Sequence, residues 1–298
     1  MHLSRYRFTS APECGSIKWV NMSAERVQFG RPSDGTARYV RHYVQREVRL
    51  GDISVAIPVL ARSSSLVDFE FGDPLEIHSS STGFSKQAEA AALVGLETYR
   101  QNHLMVKGNV EHFAIHFQPL ALRHLFGLPV FDLTNCNHAA DSVLGSAWSE
   151  LKQRLGEARS FQERVQLADG FIAVQNSRAS ARDSIEFAAN EILRSHGRCR
   201  IDALAHHTGF SMRNFQRIFR ESVGFSPKLF CRIVRFEAAL RSKNAFPHIS
   251  WTTVAQECGY HDQMHLIHEF RQFSGGTPTE LLGETNPIFL PKDGCGPL

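Results

Sequence analysis

The segment CGYHDQMHLIHEF, residues 258–270, combines one cysteine and three histidines, which are residue types that bind metal ions. His261 and His265 are four positions apart and His265 and His268 three, so each pair would be neighbours on a helix. His261 and His268 would still lie about 10.5 Å apart along the axis, whereas zinc holds each nitrogen at about 2.0–2.1 Å. No CxxC or HExxH pattern elsewhere completes a shell. We therefore predict no metal site.

A second pair of histidines lies in the segment NVEHFAIHFQP, whose period-two alternation predicts a β-strand. The strand would place Phe113, Ile115 and Phe117 on one face and His112, Ala114 and His116 on the other. Metal-binding barrels carry an HxH pair and a nearby carboxylate in a glycine-bounded motif, and this motif is absent here. We interpret His112 and His116 as surface or pocket-lining residues.

Positive charge is concentrated in one stretch of the chain. Between Arg194 and Lys243 there are eleven lysines and arginines against three acidic residues, a net charge of +8. Between Asn244 and Glu284 there is one arginine against five acidic residues, a net charge of −4. A basic stretch is typical of a protein that binds a polyanion, but also of an ordinary solvated helix face. Charge alone leaves both interpretations open.

The remaining composition bounds the class of protein. A chain of 298 residues with 42% hydrophobic residues is long enough for two domains. The N-terminal residues lack a hydrophobic signal region, and the longest apolar-dominated run, ISVAIPVLA, is too short to cross a bilayer. Six scattered cysteines are typical of reduced thiols. We expect a cytoplasmic protein without a membrane partner.

The hydrophobic pattern changes along the chain and predicts an α+β fold in two domains. Residues 1–138 are rich in β-branched and aromatic residues between turn formers, which predicts a β-rich domain. Residues 139–180 show helical periodicity around Trp148 and a capping box at Ser160 and Glu163, which predicts a helical linker. Residues 181–285 form a separate helical domain, and residues 286–298 form a Pro/Gly-rich tail of unassigned role.

An internal repeat of about fifty residues organises the helical domain. The segments Leu204–Pro227 and Val254–Pro278 align with one inserted residue in the second copy. The matched positions are Ala205 with Ala255, Gly209 with Gly259, Phe210 with Tyr260, Phe215 with Leu266, Phe219 with Phe270, Arg220 with Arg271, Gly224 with Gly275, and Pro227 with Pro278. Each copy reads as a short helix, a glycine turn and a second helix, which is the helix-turn-helix plan.

The second helix of the first copy has two distinct faces. Phe215 and Phe219 lie one turn apart and would face the core. The opposite face carries long polar side chains, namely Arg213, Gln216, Arg217 and Arg220. An α-helix fits the major groove of DNA, where Arg and Gln bond bidentately to guanine and adenine edges. The pattern favours a DNA-recognition helix.

Across about residues 185–283 the chain resembles the AraC/XylS family of transcription regulators. The resemblance is carried by IDALAHHTGFSMRNFQRIFRESVGFSPKLF and ISWTTVAQECGYHDQMHLIHEFRQFSGGTPTEL, with a linking helix that begins at Ser226 and Pro227. It implies that two recognition helices enter successive major-groove segments. The base-contacting positions it implies are Arg213, Gln216, Arg217, Met264 and His268, and the candidates for phosphate contacts are Arg220, Lys228, Arg232 and Arg271. His268 would thus be a DNA contact, although many relatives carry Arg there.

The N-terminal region resembles, more weakly, the cupin-like sensor barrel of such regulators, through HFAIHFQPLALRHLFGLPVFDLTN and the Trp148 helix. The resemblance implies effector binding or dimerisation, with a pocket lined by aromatic and histidine residues from 40–120. A β domain used only for protein contacts is the alternative. The sequence lacks GxSxG, Walker and GxGxxG motifs, so we expect no enzyme activity and no cofactor, and we assign no cofactor-binding residue.

These observations together predict a sequence-specific DNA-binding transcriptional regulator. Its partners would be double-stranded DNA, a small-molecule effector, RNA polymerase and a second copy of the chain. A metal-dependent cupin-type enzyme fused to a helical DNA-binding module is the main alternative. A DNA-repair fusion would need a cysteine cluster near the N-terminus, where Cys14 stands alone.

Overall fold

The computed structural model of the chain describes residues 5–7, 19–21, 25–79, 82–100, 102–175 and 184–284. The predicted tail and most of the predicted connector QNSRASARDS lie outside the described residues. The fold is β-rich in its N-terminal part and helical in its C-terminal part, which confirms the predicted fold class. No helix in the described part of the chain combines the length and apolar character that a membrane span requires.

Within the residues that the structure describes, the N-terminal part contains ten strands. They are β1 Arg5–Arg7, β2 Trp19–Asn21, β3 Glu25–Gly30, β4 Val40–Pro58, β5 Leu66–Glu70, β6 Glu76–Ser79, β7 Ser85–Gln87, β8 Ala91–Val94, β9 Asn102–Phe117 and β10 Asn137–Ala139. Eight of them form one antiparallel sheet in the order β10-β8-β5-β9-β4-β3, in which β6 pairs with β9 and β7 with β6. The long strands β4 and β9 pair along their length and shift register around Gly51.

The alternation predicted for β9 is confirmed, and it decides what each face of the sheet contacts. Phe113, Ile115 and Phe117 are fully buried in the main core. The opposite face of the same strand carries His112, Ala114 and His116. Side chains that alternate along a strand point to opposite faces, so β9 separates an apolar core from a polar face.

Helices cover the apolar face of the sheet. They are α1 Ala121–Phe126, α2 Ala140–Leu144, α3 Ala147–Glu157 and α4 Phe161–Gln175, with a 3-10 helix at Val130–Leu133. The buried Trp148 ring contacts the rings of Phe69 and Phe117 from the sheet and Phe171 from α4. The cap predicted at Ser160 is confirmed, because Ser160 Oγ accepts from the backbone N–H of Glu163 at 3.2 Å. The Glu163 carboxylate accepts at 2.7 Å from the backbone N–H of Arg159, one residue before the N–H that a full capping box would use.

Between residues 184 and 284, the described C-terminal part contains seven helices. They are α5 Ser184–Arg194, α6 Ile201–His207, α7 Met212–Val223, α8 Pro227–Ala245, α9 Trp251–Glu257, α10 Gln263–Ser274 and α11 Pro278–Glu284. Helices α6–α7 and α9–α10 are the two helix-turn-helix units, and α8 joins them. The repeat is confirmed in the backbone, since Gly209 and Gly259 have φ values of 74° and 73°, and Gly224 and Gly275 end α7 and α10 with positive φ.

The two parts share one continuous hydrophobic core and several polar contacts. Glu237 of α8 accepts hydrogen bonds from the N–H and the hydroxyl of Ser63, both at 2.7 Å. Arg38 donates to Glu186 of α5 at 2.7 and 2.9 Å. The linking helix is therefore held directly by the N-terminal part.

Candidate nucleic-acid interface and junction cavity

Helix α7 has the two faces that its sequence predicts. Ser211 caps its first turn by accepting from the N–H of Asn214 at 3.4 Å. Phe215 and Phe219 are fully buried, and this fixes the rotation of the helix about its axis. The four polar residues of the opposite face, Arg213, Gln216, Arg217 and Arg220, are exposed. The geometry leaves this face open to an outside partner along most of its length.

Two of these arginines have intramolecular contacts. Arg217 donates to Glu221 at 2.9 Å and to the side-chain oxygen of Asn214 at 2.9 Å, all on the exposed surface. Surface pairs of this kind contribute about 0.3–0.5 kcal/mol, so they orient the side chain without holding it firmly. Arg220 instead lies over the ring of Phe131 at 4.4 Å, against the N-terminal part. DNA contact by either residue stays a prediction.

Helix α10 presents a less charged face. Asp262 caps it by accepting from the N–H of His265 at 2.7 Å. Met264 is 68% exposed, and His268 is also exposed, so both side chains reach solvent as the resemblance implies. Leu266 and Phe270 are fully buried and fix the helix rotation.

The three histidines of the opening segment have separate surroundings. His261 lies in the turn, 3.0 Å from a carboxylate oxygen of Asp262. His265 packs edge-on against Tyr260 with ring centroids 5.4 Å apart, while His268 points to solvent. Among the residues that the structure describes, no three His, Cys, Asp or Glu side chains are grouped closely enough to hold a metal ion.

The predicted phosphate contacts differ in how they are placed. Lys228 and Arg271 are exposed. Arg232 is only 26% exposed in its side chain and donates to the buried Glu269 at 2.7 Å and to Gln272 at 2.5 Å. Its guanidinium therefore connects α8 to α10. A phosphate contact by Arg232 stays a prediction. Sequence reasoning missed that Arg232 connects α8 to α10 through Glu269 and Gln272.

A cavity of about 890 Å³ lies at the junction of the two parts, in the region 40–120 where the resemblance implies a pocket, and sequence reasoning missed the wall that the helical part contributes. The floor of the cavity is the polar face of the sheet. Pairing between strands β4, β9, β5 and β8 arranges the floor residues in three rows that run across the strands. The first row is His42, His116, Leu66 and Val94, the second is Val44, Ala114, Asp68 and Ala92, and the third is Arg46, His112 and Glu70. Its opposite wall includes Glu237, Leu240 and Arg241 of α8. The cavity thus lies between the sheet and the helix that joins the two helix-turn-helix units.

Two histidines on the cavity floor, His42 and His116, are kept neutral by their surroundings. Their rings stack with centroids 4.4 Å apart. Burial, together with the positive charge of Arg41 and Arg46, lowers the pKa of His42 to about 3. Burial and nearby positive charge likewise hold the pKa of His116 well below its usual range. His112 lies 2.9 Å from Asp68, so the third row is polar.

Two family models match the chain. Residues 204–284 match a helix-turn-helix domain, and residues 28–139 match a domain of unknown function, DUF6597. The chain carries two helix-turn-helix units of the kind that bind DNA, joined by one helix. Residues 204–284 therefore form a helix-turn-helix domain, the kind of domain that the resemblance to the AraC/XylS regulators implies.

Similar solved structures were also found. ToxT from Vibrio cholerae O395 is 12% identical, with 82% of this chain and 98% of that chain covered and a TM-score of 0.46. ToxT from Vibrio cholerae strain SCE256 with bound unsaturated fatty acid is 12% identical, with coverages of 87% and 95% and a TM-score of 0.42. The AraC-like transcriptional activator CuxR is 10% identical, with coverages of 64% and 74% and a TM-score of 0.30. No curated protein sequence matches the chain.

Proposed function

We propose that the protein reads a two-part DNA site with α7 and α10, and that a small molecule in the junction cavity controls this binding. The observation that carries the proposal is the position of α8. This helix joins the two recognition helices and also forms one wall of the cavity. A molecule in the cavity would therefore contact the element that sets the relative position of the two DNA-reading surfaces.

In this proposal the exposed face of α7 supplies most of the base readout, through Arg213, Gln216 and Arg217. Met264 and His268 of α10 read the second segment, by apolar contact and by a single hydrogen bond. Phosphate contacts, which position the protein on the duplex, come from Arg220, Lys228, Arg232 and Arg271. The exposure of Lys228 and Arg271 supports their part in it, and Arg220 would first have to leave the Phe131 ring.

The proposed division of the chain follows the same roles. Residues 1–138 form the sensor, 139–180 the helical linker and 181–285 the DNA-binding domain, with 286–298 as a tail. We further propose that the protein acts in the cytoplasm without enzyme activity, pairs with a second copy and contacts RNA polymerase. The family matches give no support to the alternative of a metal-dependent enzyme.

The experiment is selection from a random duplex library with the purified full-length protein at two salt concentrations. We expect enrichment of a motif with two segments about one helical turn, roughly 10.5 base pairs, apart. Binding should weaken as salt rises, because lysine and arginine displace counterions from phosphates. Salt-sensitive binding without an enriched motif would contradict readout by α7 and α10 in the protein as purified.

A further inference from the structure

The charged groups at the junction end of the cavity are unequally paired. The lining there includes the guanidiniums of Arg41, Arg62 and Arg241 and the carboxylates of Glu97 and Glu237. Arg194 and Glu257 also line the cavity, and both are exposed. Arg62 is already engaged, since it lies 3.9 Å from Glu97 and donates to two backbone carbonyls at 2.9 and 3.0 Å. Glu237 is therefore the carboxylate that remains to neutralise both Arg41 and Arg241.

Glu237 is poorly able to neutralise both arginines. Its two oxygens each accept a hydrogen bond from Ser63 at 2.7 Å, and its closest approach to Arg241 is 4.0 Å. Nη2 of Arg241 is buried and has no hydrogen-bond partner among the residues that the structure describes. Arg41 donates to Ser63 Oγ at 3.4 Å, which is a long bond to a neutral group. Buried charges are normally paired, so this end of the cavity favours an additional anion.

Burial lowers the pKa of Arg41; Glu237 partly offsets this and Arg241 adds to it. The neutral pair of His42 and His116 adds no charge of its own. One ring nitrogen of His116, Nδ1, lies 3.4 Å from Ser64 Oγ.

From the end of the cavity that holds Arg41 and Arg241, the floor leaves room for a ligand to extend along the sheet. Its middle row contains Ala92 and Ala114, whose small side chains leave space above the sheet. The row beyond contains the polar residues Arg46 and His112. His116 and His112 are four residues apart on β9, so the two ends are separated by about 13 Å at roughly 3.3 Å per residue. A rod-like organic molecule with a polar far end fits this distance.

We propose that the cavity takes a small organic carboxylate, whose charged group lies between Arg41 of β4 and Arg241 of α8 and whose body crosses the Ala92–Ala114 row. Guanidinium and carboxylate match each other's planar geometry, so two arginines can hold one carboxylate firmly. The ligand bridges the sheet and the linking helix. The inference rests on the proposed effector cavity and names the chemical class of its ligand.

The test measures thermal unfolding of the full-length protein with matched pairs of acid and primary amide. The pairs are octanoate and octanamide, 3-phenylpropanoate and 3-phenylpropanamide, and 8-hydroxyoctanoate and 8-hydroxyoctanamide, each added at millimolar concentration. We expect at least one acid to raise the Tm and its amide to leave it unchanged. The Arg41→Gln and Arg241→Gln variants should each lose this shift, while Arg241→Lys, which keeps the charge, should retain part of it.

The matched control is Arg194→Gln. Arg194 also lines the cavity, but its side chain is 72% exposed and lies 2.5 Å from Glu191. This variant should keep the full Tm shift. The ligand class is wrong if an amide protects as well as its acid, if protection survives in both glutamine variants, or if no acid protects. DNA binding of the same proteins, followed by fluorescence anisotropy on a selected site, separately reports whether the proposed function holds.

Discussion

Helix α7 exposes Arg213 and Arg217, whereas α10 exposes Met264 and His268 at the equivalent positions of the repeat. The two helices are capped in the same way and end at glycines of positive φ, so the difference lies in side chains and not in backbone. The surroundings differ too, because Arg232 and Glu269 form an ion pair beneath α10. One backbone plan thus presents a charged face in the first unit and a less charged face in the second.

The largest expected effect is on stability, and it is confined to the second unit. Replacing Arg232 by alanine would leave the Glu269 carboxylate buried beside Tyr260 without its charged partner. We expect a loss of about 3 kcal/mol in the free energy of unfolding, near the lower end for a broken buried pair because Arg232 is partly exposed. Urea denaturation measures it. Lys228→Ala, at an exposed site of the same helix, is the control and should change stability by less than about 0.5 kcal/mol.

The next effect is on DNA readout by the first unit. Arg217→Ala should weaken binding to the selected site by about 1–3 kcal/mol and relax the preference at one base pair, because a bidentate contact to one base is lost. Binding isotherms on the selected site and on single-base variants measure this. Equal losses on selected and scrambled duplexes would show that Arg217 contacts phosphate only. Lys228→Ala provides the contrast, with a uniform loss and a shallower salt dependence.

The helix-ending glycines allow the two units to be compared at one position. Gly224 and Gly275 have φ values of 106° and 76°, so alanine at either site should cost about 1–2 kcal/mol in the left-handed region. At Gly224 an added Cβ would lie 2.8 Å from Leu96 and 3.0 Å from Thr134 of the N-terminal part, whereas at Gly275 its nearest neighbour would be the flexible side chain of Arg100 at 3.0 Å. We therefore expect Gly224→Ala to lower the Tm more than Gly275→Ala. The opposite order of Tm values in a thermal melt would mean that Leu96 and Thr134 shift at little cost to make room for the added Cβ.

The smallest effect is expected for the second recognition helix. His268→Ala should weaken specific binding by about 1 kcal/mol or less, since a histidine supplies one hydrogen bond where an arginine supplies two. His268→Arg should strengthen binding, and both variants are compared by anisotropy on the selected site. A loss of binding free energy from His268→Ala as large as that from Arg217→Ala would contradict the proposal that the first unit supplies most of the base readout.

Much of the fold follows from local patterns. The alternation in β9, the cap at Ser160 and the repeat of glycines and phenylalanines are set by residues close in sequence, and the structure confirms them. The resemblance implies a pocket lined from 40–120, but the wall that α8 adds to the cavity could not be found in this way. That wall forms where residues 41–116 meet residues 237–246, and no local pattern records that approach. Arg232 shows the same limit, because its sequence context indicates an exposed charge while its partner Glu269 lies 37 positions away.

The length of α8 also fixes how the two helix-turn-helix units are oriented about its axis. Its 19 residues give a rigid rod of about 28 Å, at roughly 1.5 Å per residue. Inserting one residue would turn the second unit by about 100° around that rod, at 3.6 residues per turn. An insertion in α8 that keeps the exposed faces of α7 and α10 in their present relative orientation must therefore add three or four residues at once.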